Sequence, residues 1–254
     1  MSVHPFPQVA AKPVEPSLAQ QAIQFVNDHI RDNGMRVGDS LPGEAWFAAQ
    51  MGVSRAVMRE AFGALAALRQ IDVGNGRKPR VAAIDGSVIA SSLDHAVSTA
   101  QISVAEVWDV RRTIEARTAA LAAASRTEAE ADRIVELAEL MARDRNDRPS
   151  MTGHDIAFHH AIARASHNAL FVAIVTSFAP LMQIAVPAAW DTRVTEADRE
   201  LIIERHRAIA RAIKLGDPDA ALLAMDAHFD ASVGDVLKGM DPTERIPAGA
   251  GNGL

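Results

Sequence analysis

One short stretch of this chain reads as β structure, and nothing after it does. Ile71-Asp72-Val73 and Arg80-Val81-Ala82 flank a Gly74-Asn75-Gly76 turn. This is the pattern of a two-stranded hairpin, in which glycine and asparagine supply positive φ. Beyond Ala83 the apolar residues recur at helical spacing through about residue 238, with no alternating run. One hairpin in otherwise helical periodicity confines the chain to a mainly α fold. Alanine agrees: 49 of the 254 residues are alanine, the strongest helix former.

Composition narrows the chemistry. There is no cysteine, which excludes a disulfide framework, a thiol nucleophile and a thiolate metal site. With nine histidines, a transition-metal site must use imidazole and carboxylate. The net charge of −6 hides a split. Residues 55–80 carry six basic side chains (Arg55, Arg59, Arg69, Arg77, Lys78, Arg80) against two acidic ones, Glu60 and Asp72. A DNA backbone meets such a local patch, not the sum over the chain. The proline-rich start reads as a flexible arm over 1–16, not a signal peptide, and the Gly/Pro-rich end as a flexible tail over 241–254. Asn168 to Trp190 holds no charged residue but is interrupted by Pro180 and Pro187. It reads as a buried bundle helix rather than a membrane span.

Residues 17–84 form a small module. Ser17 caps a predicted helix over 18–32, with Leu18, Ala22, Phe25, Val26 and Ile30 on one face and Gly34 past its end. A second helix is predicted over 43–50, broken by Gly52. Ser54 caps a third over 55–69, with a core stripe of Val57, Ala61, Leu65 and Leu68. Arg55 and Arg59 lie one turn apart near its start. Helix, short helix, glycine turn, helix with a basic start and basic hairpin make a winged helix-turn-helix. The major groove admits one helix, whose first turn meets the base edges. Arginine grips guanine or a phosphate at two points, and Arg77 and Lys78 give the wing its charge.

The stretch GDSLPGEAWFAAQMGVSRAVMREAFGALAALRQIDVGNGRKPRVA resembles the N-terminal domain of the GntR family of bacterial transcription regulators. It departs from the family pattern at Gly43, where serine is usual, and at Ala45, where some members place a DNA-contacting arginine. The wing also differs, reading GNGRKPRV. The resemblance implies a double-stranded DNA operator as partner. It implies major-groove contacts from Ser54, Arg55 and Arg59, and a minor-groove contact from Gly76, Arg77 and Lys78.

After a linker helix at 85–102 comes an all-helical region over 103–240. Helices are predicted over 87–98, 103–124, 127–145, 150–165, 168–188, 195–215 and 218–238. The last boundary, Gly216-Asp217-Pro218, supplies a C-cap, an N-cap and a first-turn proline. Six of the nine histidines fall within 154–228. Asp155 and His159 share one helix face, one turn apart, and His206 and His228 sit on the last two helices. One carboxylate and three imidazoles bind divalent Zn, Ni, Mn or Fe, and bundle cores house such sites. Spacing alone equally allows histidines that merely pack in the core or face solvent.

The pattern around Asp155, Phe158, His159, Ile162, Asn168 and Leu170, with His206, His228 and the earlier Asp109, Arg111 and Glu115, resembles the FCD effector domain of FadR-type members of the same family. The resemblance covers 103–238. It implies Asp155, His159, His206 and His228 as metal ligands, with His154 and His160 outside the motif. Arg111 and Asn168 become the expected effector contacts. Arg111 has a second reading as an ion-pair partner of Glu115 one turn on.

The expected fold is therefore a winged helix-turn-helix followed by an antiparallel all-α bundle. The expected function is a cytoplasmic, homodimeric DNA-binding regulator, a repressor, with no membrane association. Its operator binding answers to a small carboxylate, a sugar acid or hydroxy acid, at the metal. One Asp⁻ and three neutral imidazoles leave a divalent ion about +1, which attracts such an acid. Two alternatives use the same residues: a metal-dependent, hydrolase-like enzyme and a purely structural metal bundle. The enzyme is disfavoured, because no base stands in a recognisable catalytic motif beside the metal set.

Overall fold

A computed structural model describes residues 15–74 and 76–239, with side chains through Ser232. All of the expected tail, the turn residue Asn75 and all of the expected arm except Glu15 and Pro16 lie outside the described residues. The chain divides into two compact units, Met1–Ala83 and Ile84–Leu254.

The first unit contains α1 (Leu18–Asp32), α2 (Glu44–Met51), α3 (Arg55–Ala67), β1 (Ile71–Asp72) and β2 (Arg80–Val81). Local chemistry sets the helix starts. Ser17 and Gln20 form a reciprocal capping box on α1. Ser54 Oγ accepts from the Val57 amide at 3.3 Å on α3. Gly52 ends α2 in the left-handed conformation, φ 73°. The buried face of α3 is Met58, Ala61, Phe62 and Leu65. This is a correction to the expected stripe, since Val57 is half-buried and Leu68 is 48% exposed. Phe62 meets Phe47 of α2 edge-on, ring centroids 5.7 Å apart. Turning the helix that way buries a phenyl ring and a thioether where the expected stripe buried a valine and a leucine, and larger apolar groups gain more from burial.

The wing pairs antiparallel with Ile71 opposite Val81 and Asp72 opposite Arg80. β2 also has a neighbour on its other side. The Leu41 amide donates to Pro79 O at 2.8 Å and the Val81 amide to Asp39 O at 3.0 Å. The segment before α2 thus ties the hairpin down, a pairing that two-residue strands do not reveal in sequence.

The second unit contains α4 (Ser87–Ser98), α5 (Val104–Ser125), α6 (Glu128–Arg143), α7 (Arg148–Ala165), α8 (Ala169–Ser177), α9 (Ala179–Asp191), α10 (Glu196–Leu215) and α11 (Pro218–Gly239). Capping boxes start α5, α6 and α10 at Ser103, Thr127 and Thr195. Gly216 ends α10 at φ 72°, and Asp217 Oδ1 accepts from the Ala220 amide at the start of α11. α5 packs against α7, α10 and α11. Its buried Ala116, Ala119, Ala120, Ala122 and Ala123 are the small side chains that let those helices come close.

The single helix expected over 168–188 is two. α8 and α9 meet at a 53° bend around Phe178. Pro180 has no amide to donate, and its ring crowds the carbonyl four residues back, so a continuous helix fails there. Among the described residues no single helix is long and apolar enough to cross a membrane. α4 is not a bare connection. It packs on α8 and α9, with Leu93 and Val97 half-buried against the main core. Gly86, at φ 81°, begins it, and a Cβ there would overlap the carbonyl oxygen of Ala173 on α8.

Candidate metal centre and nucleic-acid interface

The six residues expected at DNA are all exposed on the first unit: Ser54, Arg55, Arg59, Gly76, Arg77 and Lys78. The Ser54 hydroxyl is engaged as the cap of α3, while its helix start still presents amides. Arg59 Nε lies 3.7 Å from Glu44 Oε2 at the start of α2. Gly76 adopts φ 70°, which glycine takes without strain. The Arg77 guanidinium folds back over Gly74, where a Cβ would stand only 3.0 Å from it.

In the second unit, α7 supplies Asp155 and His159, α10 His206 and α11 His228, and all four are buried. One ring nitrogen from each histidine lies within 4.8 Å of the others. Asp155 Oδ1 stands 3.1 Å from His206 Nε2. His206 Nδ1 is 2.8 Å from the Ile202 carbonyl one turn back. A carbonyl only accepts, so His206 Nδ1 carries a proton, and Nε2 points at the Asp155 carboxylate. His159 Nδ1 contacts Glu115 Oε2, which leaves its Nε2 for the centre.

Two of the donors are held in the forms that bind a metal. Burial opposes the ionisation of Asp155, but the His206 hydrogen bond and the charges of His159, His206 and Arg111 outweigh it and hold the carboxyl down to about 2. Burial, reinforced by His206 and His159, pushes His228 well below the ordinary histidine range. Its ring stays neutral, and its buried Nδ1 has no hydrogen-bond partner among the described residues. An ionised carboxylate 3.1 Å from one imidazole nitrogen, beside a buried nitrogen without a partner among the described residues, is a donor set that fits a divalent metal. The Ile202 carbonyl and Glu115 are the outer partners that orient such imidazoles.

Arg111 on α5 is buried and bonds Glu115, Nε to Oε1 at 2.7 Å. Burial opposes the Glu115 charge too, but Arg111 and His159 outweigh it and lower its pKa. The guanidinium carbon of Arg111 lies 4.7 Å from the Trp108 ring centroid. The ion pair read from sequence is thus present, and Arg111 also lines two spaces. One, of about 30 Å³, holds all three imidazoles together with Arg193. The other, of about 170 Å³, shares Arg111, Asp155 and His159 with it and extends between α7, α8 and α9.

Asn168 is a correction. Expected at the effector, it caps α8 instead, its Oδ1 accepting from the Leu170 and Phe171 amides at 3.0 and 3.4 Å. It is exposed and lines neither space. The sequence reading also missed three groups: the contact of Glu115 with His159, Trp108 over Arg111, and the buried Arg193. Only Glu115 stood in a motif that could have signalled it.

A winged helix-turn-helix joined to a helical bundle with a buried histidine chamber defines a class of DNA-binding regulators. Residues 18–81 match the gntR family of bacterial regulatory proteins, and residues 106–231 match the FCD domain. The chain belongs to the gntR family of bacterial regulatory proteins, with the FCD domain that marks its FadR-like members. The Glc operon transcriptional activator of Escherichia coli (strain K12) is 32% identical over 205 residues, 78% of this chain and 81% of that protein. The HTH-type transcriptional regulator LutR of Bacillus subtilis (strain 168) is 29% identical over 214 residues, 83% of this chain and 96% of that one. The HTH-type transcriptional repressor NanR of Cronobacter sakazakii is 25% identical over 217 residues, 84% and 83% of the two chains. A solved Streptococcus agalactiae GntR shares the fold, with a TM-score of 0.60 at 21% identity over 85% of this chain and 98% of that one. The protein is a DNA-binding transcription regulator with an FCD effector domain, and the enzyme alternative is set aside because these relatives are regulators.

Proposed function

We propose that this protein is a cytoplasmic, homodimeric repressor whose hold on its operator is set by a small organic acid bound at a divalent metal. The observation that carries the reading is the meeting of Asp155 with three buried imidazoles beside a cavity of about 170 Å³ that Arg111 also lines. Asp155, His159, His206 and His228 would hold the ion, Zn, Ni, Mn or Fe, and Glu115 and the Ile202 carbonyl orient two of the rings. Bound there, the ion supplies a positive centre for a carboxylate, and Arg111 adds a guanidinium beside it. DNA binding belongs to 17–84 and effector binding to 103–240, with 85–102 between them. In the first unit Ser54, Arg55 and Arg59 face the major groove and Gly76, Arg77 and Lys78 the minor groove. A two-fold operator needs two recognition helices about one DNA turn apart, which two copies of the chain supply.

The test is a gel shift on DNA from upstream of the protein's own gene, with metal-loaded and chelator-treated protein and a panel of organic acids. An acid releases the metal-loaded protein only, and His206→Ala keeps DNA binding while ignoring the acid. An equal response after chelation would refute the metal reading.

A further inference from the structure

We infer that the acid received here is a short monocarboxylate with an apolar tail, not a polyhydroxylated sugar acid. This rests on the metal-and-acid reading above and narrows it. The charged groups of the larger cavity, Arg111, Asp155 and His159, are the ones it shares with the histidine chamber. Its remaining wall is mostly Ile156, Val175, Phe178, Ala179 and Met182. A carboxylate anchored at the shared end therefore sends its tail past aliphatic, aromatic and thioether surface. Among the described residues no second arginine or lysine lines this cavity to meet another carboxylate.

Two polar side chains remain on that wall, His160 and Thr176. His160 is half-buried and offers only its two ring nitrogens. Thr176 Oγ1 is buried and has no hydrogen-bond partner among the described residues. Threonine in a helix commonly bonds the carbonyl one turn back. Thr176 gives up no such bond if its side chain turns, so it can serve one hydroxyl on a tail. It cannot serve the row of hydroxyls of a sugar acid, each of which would exchange water for apolar wall.

Size points the same way. An apolar cavity of about 150 Å³ holds benzene, so about 170 Å³ admits an acid of about four or five carbons. Gluconate is larger than that and carries several hydroxyls.

The experiment is calorimetric titration of full-length, zinc-loaded protein with 2-hydroxybutyrate and with gluconate. The expected result is 2-hydroxybutyrate binding at least about a hundredfold tighter, the scale on which an apolar pocket rejects an added hydroxyl. Met182→Gln, and separately the near-isosteric Val175→Thr, narrow that ratio severalfold while bound zinc, measured by elemental analysis, stays at the wild-type level. Gluconate binding as tightly as 2-hydroxybutyrate would overturn the apolar-tail inference and leave the metal-and-acid reading standing. Failure of every small acid in a panel to bind zinc-loaded protein would overturn that reading, and the inference with it.

Discussion

Arginine is set to opposite tasks in the two units. In the first, Arg59 lies 3.7 Å from Glu44 with 72% of its side chain exposed. In the second, Arg111 lies 2.7 Å from Glu115 with 4% exposed. The exposed pair is screened by water and contributes little to stability, so the Arg59 charge remains available to a phosphate. The buried pair has given up its water, and each partner depends on the other. Exposure therefore separates cations free to meet a partner molecule from cations built into the architecture.

That contrast breaks most visibly at Glu115. Glu115→Ala leaves the Arg111 guanidinium buried without its carboxylate, and the expected loss is about 3–5 kcal/mol of unfolding free energy. The same change at Glu44 costs less than about 1 kcal/mol. Urea denaturation of both variants measures the difference, and similar midpoints would erase the distinction. A smaller effect is expected at the DNA face. Arg55→Ala weakens operator binding by about 1–3 kcal/mol if it contacts a base, and lowers the salt slope by about one if it contacts a phosphate. Titrations at several salt concentrations decide which, and no change in either quantity removes Arg55 from the interface.

The smallest effect is a pH dependence confined to the second unit. His228 is held neutral when folded and takes a proton once unfolded, below about 6.5. Protonation then favours the unfolded chain, so metal-free protein loses up to about 1.4 kcal/mol per pH unit as pH falls from 6.5. The Asp155 carboxyl is depressed to about 2, so its contribution is present above the unfolded value near 4 and is lost only toward pH 2. It does not enter this window. Melting in chelator at pH 7 and pH 5.5 checks the slope, and His228→Gln flattens it.

Helix starts were legible in the sequence because they are local. Ser17, Ser54 and Asp217 cap as their side-chain chemistry dictates. The same rule would have corrected Asn168, whose preference for the N-cap position was a sounder guide than its place in a motif. The rotation of α3 was not legible. Leu68 and Phe62 are both apolar, and only Phe47 on another helix decides which is buried. The histidines could be placed on their helices, but not the contact of Glu115 with His159, which exists only because α5 packs on α7. The bend between α8 and α9 was written in Pro180, and the unbroken apolar character of the stretch hid it.

The close approach of Gly86 to the Ala173 carbonyl has a mechanical consequence. Where side chains separate two helices, a small displacement of one is absorbed by rotamer changes before the other feels it. Here backbone meets backbone, and nothing between them can yield. α8 carries Val175 and Thr176 on the wall of the larger cavity, and Gly86 lies three residues past Ala83, the last residue of the DNA-binding unit. A displacement of α8 therefore reaches the start of α4 undamped, like a push on a strut with no spring in it.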